Sequence, residues 1–382
     1  MENKLFKYLR GDISIWIIVL TLSLISMMVV YSSTGSLAYK NAGGNTFYFL
    51  FRHSLMLIIG IGIIFIVHRI PYKYFSRLSQ ILLYISIPLL LLTLMFGVKE
   101  NEAMRRIEIF GFTFQTSDLA KLALIMYLAR ILSQAQDDKQ KLKKTFKKAI
   151  LAISLVSCLV LPANFSTAGL IFLTSLVILY IGRIPYKYLI GTLFVLILVI
   201  GASYYIGSVK PDFWRFGTVK SRIDAFTGKG GNNEDLYQTR QAKIAVVTGG
   251  LFGKGPGHST QRNYLPHSYS DFIYAIIVEE YGVPGSVIVL LLYLILVYRA
   301  GVIIRKCPTF FGGFLAIGLS LSLVFQAFIN MAVSVSLFPV TGQPLPYISM
   351  GGTSILFTSI ALGCVLSVST ITQNAENNGE LA

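Results

Sequence analysis

Charge is what this sequence has least of. Of its 382 residues only 13% are Asp, Glu, Lys or Arg, while 54% are hydrophobic; a soluble domain carries about 25% charged residues. A chain this poor in charge cannot cover a water-facing surface of its size, so a soluble globular protein is excluded and an integral membrane protein is left. Acids are scarcest, 17 against 33 Lys and Arg. Cysteine is rare as well: Cys158 and Cys364 sit in apolar runs and Cys307 in a short basic loop, which offers neither a disulfide framework nor a metal-ligand spacing. His258 and His267 share the one long polar segment, but without spaced acidic or Cys partners they read as solvated loop residues, and no metal ligand is assigned.

What is present is a series of apolar runs long enough to cross a bilayer, about 17–25 residues for a helix. The clear ones are 13–31, 54–68, 81–97, 119–132, 188–206, 272–298, 310–335 and 354–369. Residues 149–182 form one longer stretch broken at Pro162-Ala163-Asn164, which suits two short helices joined by a tight turn. The expected fold is therefore an all-α integral membrane protein of ten transmembrane helices, one polytopic domain over 1–382. Residues 207–270 form a large extracytoplasmic loop between the seventh and eighth helices, and 373–382 a short cytoplasmic tail.

With the N-terminus inside, the short cytoplasmic segments hold 18 Lys and Arg and the short outer loops 5. That asymmetry places both termini in the cytoplasm and accounts for most of the net charge of +16 without nucleic acid. The basic start before the first apolar run also fits a signal peptide, but the run is longer than a usual signal core and nine spans follow, so a retained helix is expected. The hexapeptide Arg-Ile-Pro-Tyr-Lys-Tyr occurs at 69–74 and again at 183–188. Its flanks do not match and both copies face one side, so it reads as interfacial anchoring rather than as two related halves.

The outer loop is not of low complexity. It contains Trp214, Arg222, a Gly-rich tip at 228–231 and the apolar stretch 241–253, with nine Lys and Arg against four acids. Such a cap attracts anionic lipid in general, or a pyrophosphate-linked substrate in particular. Directly after it comes Leu265–Gly282, LPHSYSDFIYAIIVEEYG, in which Asp271 opens an apolar helix and Glu279 and Glu280 lie two turns further in. Carboxylates in a membrane helix cost about 2.5–3.5 kcal/mol each near its centre and are a functional hypothesis by default. By helix rise Lys121 sits about 6 Å below the outer boundary, near the expected depth of Asp271, and the two Glu about 12 Å beyond it. Asp271 is thus the nearer partner for Lys121, with Glu280 the alternative.

Four blocks resemble the SEDS family of bacterial cell-wall synthesis, the FtsW and RodA type: FQTSDLAKLALI at 114–125, GGLFGKGPGHSTQ at 249–261, the Leu265–Gly282 block, and PVTGQPLPYISMGGTS at 339–354. The resemblance implies a ten-helix polymerase that joins lipid II units into glycan strands on the outer face of the cytoplasmic membrane. The family's catalytic Asp falls on Asp271. Glycosyl transfer needs a base for the acceptor hydroxyl and positive charge for the departing pyrophosphate, which agrees with an acid under a basic cap. The expected substrate contacts are Lys121, Arg222, Lys254 and Glu280, with Gln115 and Ser117 lining the outer cavity and Ser349, Gly351 and Gly352 on the Pro/Gly-rich loop. Each has a structural alternative: an interhelical ion pair for Lys121, a helix cap for Gln115, Ser117 and Asp118, a buried re-entrant turn for the last three.

The chain departs from the family pattern where Pro266-His267 replaces Pro-Glu and Ala163-Asn164 replaces Pro-Asp, while Asp118 keeps the acid of Gln-Pro-Ser-Glu. A metal held by several carboxylates is less secure for that reason, and a divalent cation, Mg or Mn, stays open. The resemblance further implies lipid II, the nascent glycan strand and a class B penicillin-binding transpeptidase as partners. The short tails and the 164 and 265–282 blocks stand nearer the division branch than the elongation branch, implying divisome partners and the septum. Against this enzyme stands a transporter of the same lipid, which would use Lys121, Glu279 and Glu280 as an intramembrane polar path.

Overall fold

The computed structural model describes residues 10–41, 43–100, 103–109, 112–136, 138–211 and 216–377. Trp214 and the last five residues of the tail lie outside them, as do Lys4 and Lys7 of the N-terminal segment and Asp212 and Arg215 of the outer loop. Thirteen α-helices follow one another among the described residues: α1 Ile13–Ser33, α2 Gly35–Asn41, α3 Thr46–Val67, α4 Lys73–Phe96, α5 Thr116–Ser133, α6 Lys139–Val160, α7 Phe165–Ile181, α8 Tyr186–Val209, α9 Phe216–Thr227, α10 Asn233–Gly249, α11 Ile273–Lys306, α12 Phe310–Ser334 and α13 Gly352–Asn377. A helix covers each of the ten expected spans. Seven of them, α1, α3, α4, α8, α11, α12 and α13, are long and apolar enough to cross a membrane by length and composition, and α7 is a shorter apolar helix. The protein is a multi-pass membrane protein.

Side-chain caps set several starts. The Asp12 carboxylate accepts from Ser14 N at 2.9 Å, Asp138 from Gln140 N at 2.7 Å and Asn164 from Thr167 N at 3.1 Å, so each satisfies a backbone N–H that the first turn leaves unpaired. Asn164 therefore caps α7 as an amide, where the family pattern has a carboxylate. Centrally placed α12 is buried along almost its whole length, and α5 nearly so, whereas α8 buries only Thr192, Ser203 and Gly207. At one end of the bundle Arg299 Nε binds Asp12 Oδ2 at 2.6 Å and Tyr72 Oη meets Thr309 Oγ1 at 2.6 Å. The functional segments gather at the opposite end.

One feature departs from the all-helical expectation. Three antiparallel strands, β1 Val98–Glu100, β2 Ala103–Ile109 and β3 Phe112–Gln115, join α4 to α5, with Arg106 opposite Gln115 and Ile107 opposite Phe114. The cause is period-two alternation of Ile107, Ile109, Phe112 and Phe114, too short to register as a span. The outer segment holds two helices, α9 and α10, the second of which runs into the apolar stretch 241–253 and ends at Gly249. The repeated hexapeptide is not used alike in its two copies: Tyr72 is buried while its counterpart Tyr186 is exposed. That asymmetry agrees with two separate helix starts and not with two equivalent halves.

Candidate functional site

Asp271 lies in a turn, two residues before α11 begins. The N-cap position is Phe272, and the Ser270 hydroxyl donates to Asp271 Oδ1 at 2.8 Å without capping the helix. His267, in the left-handed region at φ 54°, turns the chain so that Ser270 N and Asp271 N both reach His267 O, at 2.9 and 3.1 Å. Three successive carbonyls are then gripped from outside the segment. Met350 N donates to Tyr269 O at 2.9 Å, Ser349 Oγ to Ser270 O at 2.6 Å, and Asn330 Nδ2 to Asp271 O at 2.8 Å. Backbone bonds thus hold Asp271 in place while its side chain stays half-buried.

The second oxygen of Asp271 looks onto Gly342. A Cβ placed on that glycine would stand 3.5 Å from Asp271 Oδ2 and 4.0 Å from Arg222 Nη2, and Gly342 has φ 64°. The missing side chain leaves a gap that carboxylate and guanidinium both border, in a conformation only glycine adopts cheaply. Arg222 comes from cap helix α9, where its Nε lies 3.9 Å from Asp235 Oδ1. A side chain of α9 therefore reaches the position beside Asp271. Asn330, Gln343 and Thr167, absent from the sequence reading, form the wall behind: Asn330 Nδ2 also donates to Gln343 O at 2.7 Å, and Gln343 Nε2 to Thr167 Oγ1 at 2.8 Å. Asn330 and Thr167 signalled themselves only as polar residues inside apolar helices, while Gln343 lies in the Pro/Gly-rich block 339–354.

Lys121 does not take the partner expected of it. Its Nζ donates to Gln326 Oε1 at 2.7 Å, and the carboxylate within reach is Asp118, one turn earlier on α5, at 3.6 Å. Gln326 in turn donates to Pro344 O at 2.9 Å, which links Lys121 to the loop carrying Gly342. Lys121 and Asp118 line a small pocket between α5, α12 and α13, with Ser322 and Thr358 as further polar walls.

The depth assigned to Glu279 and Glu280 is overturned. At Gly282 (φ 63°, ψ −154°) α11 breaks into two arms, 273–281 and 283–306. Twelve residues of straight helix would hold Tyr274 and Ser286 about 18 Å apart, yet Tyr274 Oη donates to Ser286 O at 3.2 Å. The arms therefore fold back on each other, so residues later in the first arm do not go deeper into the bundle. Glu280 accepts from the Ser32 hydroxyl in the last turn of α1 and from Ser259 N at 3.3 Å. Glu279, fully buried, takes Lys254 Nζ at 2.6 Å. Neither acid faces Lys121, and both bind the segment that follows α10.

A family model described as cell cycle protein, covering FtsW, RodA and SpoVE, matches residues 12–374. The chain belongs to this FtsW/RodA/SpoVE family. It is 30% identical to the probable peptidoglycan glycosyltransferase FtsW of Coxiella burnetii, over 94% of this chain and 96% of that protein. It is 32% identical to the stage V sporulation protein E of Bacillus subtilis, over 94% and 96%. A chain from a peptidoglycan synthase complex that coordinates polymerization and crosslinking superposes with a TM-score of 0.75 over 95% of this chain and 98% of its own, at 24% identity. The Thermus thermophilus rod shape determining protein RodA gives 0.67 at 23% identity, over 94% and 96%. These two likenesses establish the family's fold.

Of the other family positions singled out, Lys254 is occupied by Glu279 and by Thr260 Oγ1 at 2.8 Å, so it braces the cap loop. Gln115 stands at the N-cap of α5 and donates to Ser117 Oγ at 3.1 Å; both residues line a second small pocket with Arg105 and Asn164. Ser349 is buried against Ser270, accepting Leu345 N at 2.7 Å, and supports Asp271 from behind. Gly352 opens α13 with open space where a Cβ would stand, and Gly351 meets only Ser354. His258 is exposed. Among the described residues no group of three or more His, Cys, Asp or Glu is placed to hold a metal ion.

Proposed function

We propose that this chain is a peptidoglycan glycosyltransferase that joins lipid II units into glycan strands, with Asp271 as general base and Arg222 at the leaving group. One observation carries the reading: Asp271 Oδ2 and Arg222 Nη2 border the same gap over Gly342. An acceptor sugar hydroxyl in that gap gives its proton to Asp271 Oδ2 as its oxygen attacks the anomeric carbon of the donor. The bond from that carbon to the lipid pyrophosphate breaks, its electron pair leaves with the phosphate, and a guanidinium neutralises the charge that develops there. A single displacement of this kind inverts the anomeric centre. Family membership and relatives named as peptidoglycan glycosyltransferases support the chemistry.

In this reading α5, α6 and α7 complete ten spans, both termini are cytoplasmic, and the cap α9–α10 stands on the outer face. The partners are a class B penicillin-binding transpeptidase, which crosslinks the strands, and the divisome at the septum; the elongation role is the alternative. The transporter reading weakens, because the fold-back at Gly282 removes Glu279 and Glu280 from the polar path it needs and leaves only Lys121 with Asp118. Purified protein with its transpeptidase partner and lipid II is expected to make glycan strands, visible on a gel, and Asp271→Ala to make none. Undiminished polymer from that variant refutes the assignment of the base.

A further inference from the structure

We propose that Glu279 is a positioning residue: by clamping the Lys254–Gln261 loop it fixes the angle of the first arm of α11 and so the placement of Asp271. The inference rests on Asp271 being the base, and deepens that reading. The first arm has only nine residues, below the roughly 12–15 at which an isolated helix becomes even marginal in water, so its direction depends on what holds its ends. Asn330 and Ser349 hold the Asp271 end. The break at Gly282 leaves the other end with carbonyls that have no next turn to bind. The loop supplies their donors, with Lys254 N on Glu279 O and Gly255 N on Glu280 O, both at 2.9 Å, and across the break Val283 N reaches Leu251 O at 3.1 Å.

The Glu279 side chain locks this arrangement. Its Oε1 accepts from Lys254 Nζ at 2.6 Å, Thr260 Oγ1 at 2.8 Å and Thr260 N at 3.1 Å; its Oε2 accepts from Gln261 N at 3.2 Å and from the Ser259 hydroxyl. Only an ionised carboxylate, an acceptor with about four lone-pair sites and no hydrogen of its own, can take so many donors. A Gln here turns an NH₂ group toward at least one of them. The loop comes this close because Gly253, at φ 79°, has no Cβ to strike the Glu280 carbonyl.

The experiment uses the full chain with its transpeptidase partner in nanodiscs and compares wild type, Glu279→Gln, Lys254→Met and Lys254→Arg. The expected result is a fall in turnover of about ten- to a hundred-fold for Glu279→Gln and Lys254→Met, the scale of a misplaced catalytic group. The lipid II concentration for half-maximal rate stays within about two-fold, and Lys254→Arg restores most of the rate. Amide hydrogen exchange should rise in 273–281 and 254–261 while α12 and α13 stay protected. Wild-type turnover in Glu279→Gln overturns the proposal, as does a loss of protection spread over the whole bundle. If the wild type itself makes no polymer, the polymerase reading fails, and exchange still decides the clamp: a local rise in 273–281 supports it and an unchanged pattern refutes it.

Discussion

Asp271 and Glu279 stand eight residues apart on one short segment, and the protein treats them in opposite ways. Glu279 is sealed from solvent and takes five side-chain and backbone donors at 3.2 Å or less. Asp271 has Ser270 on one oxygen and turns the other toward a glycine and an arginine. A carboxylate with its lone pairs filled is a structural joint, because any change of protonation or partner there breaks several bonds at once. A carboxylate held by its backbone, with one oxygen beside only a glycine and an arginine, keeps acceptor sites that Glu279 has filled. The partners of each acid, more than its depth, distinguish the two settings.

That contrast can be broken at either member. Its largest expected effect is the loss of glycan strands in Asp271→Ala. Next comes the hinge between the two settings: Gly282→Ala puts a Cβ 2.5 Å from Gly253 N, in a backbone region essentially reserved for glycine. The strain of about 1–3 kcal/mol, with the overlap added, should appear as a lowered thermal unfolding midpoint in nanodiscs together with lost activity. An unchanged midpoint would mean that the fold-back is not the ground state. Arg222→Gln should slow turnover about ten- to a hundred-fold and leave the unfolding midpoint nearly unchanged, since the side chain is partly exposed; an unaltered rate would detach the cap from the leaving group. The smallest effect belongs to Ser270→Ala, which removes one hydroxyl donor from Asp271 Oδ1. A few-fold fall in turnover is expected, and an unchanged rate would show that this hydrogen bond does not help to place the carboxylate.

The Glu279 clamp belongs to the same comparison. If the two acids have separate duties, damage at Glu279 should reach activity through local order in 273–281, whereas damage at Asp271 should leave that order intact. Hydrogen exchange on both variants reads the difference directly.

Much of this was legible in the chain. Nine apolar stretches became ten helices, and the four sequence blocks lie where the family is matched. Gly282 and Pro284 were in plain view inside the run 272–298, and a Gly-x-Pro pair is a recognised place for a helix to break. Apolar content on both sides hid the fold-back, because hydropathy measures composition and carries no direction. The partner of Lys121 was missed for a related reason. Depth along separate helices does not say which faces meet, and Gln326 and Asp118 were nearer than any acid of α11.

The sequence by itself determined that this is a membrane protein, which runs are helical, and that Asp271 sits in an acid-bearing block beside a basic cap. Those properties follow from local composition and spacing. Only the tertiary structure decided that Arg222 and Asp271 share the gap at Gly342, that Asn330 and Ser349 grip the backbone around Asp271, and that Glu279 serves the loop and not Lys121. Each of these depends on segments 18 to 120 residues apart meeting in one place. Which faces of those segments pack together chooses the meetings, and no count of residues reveals it.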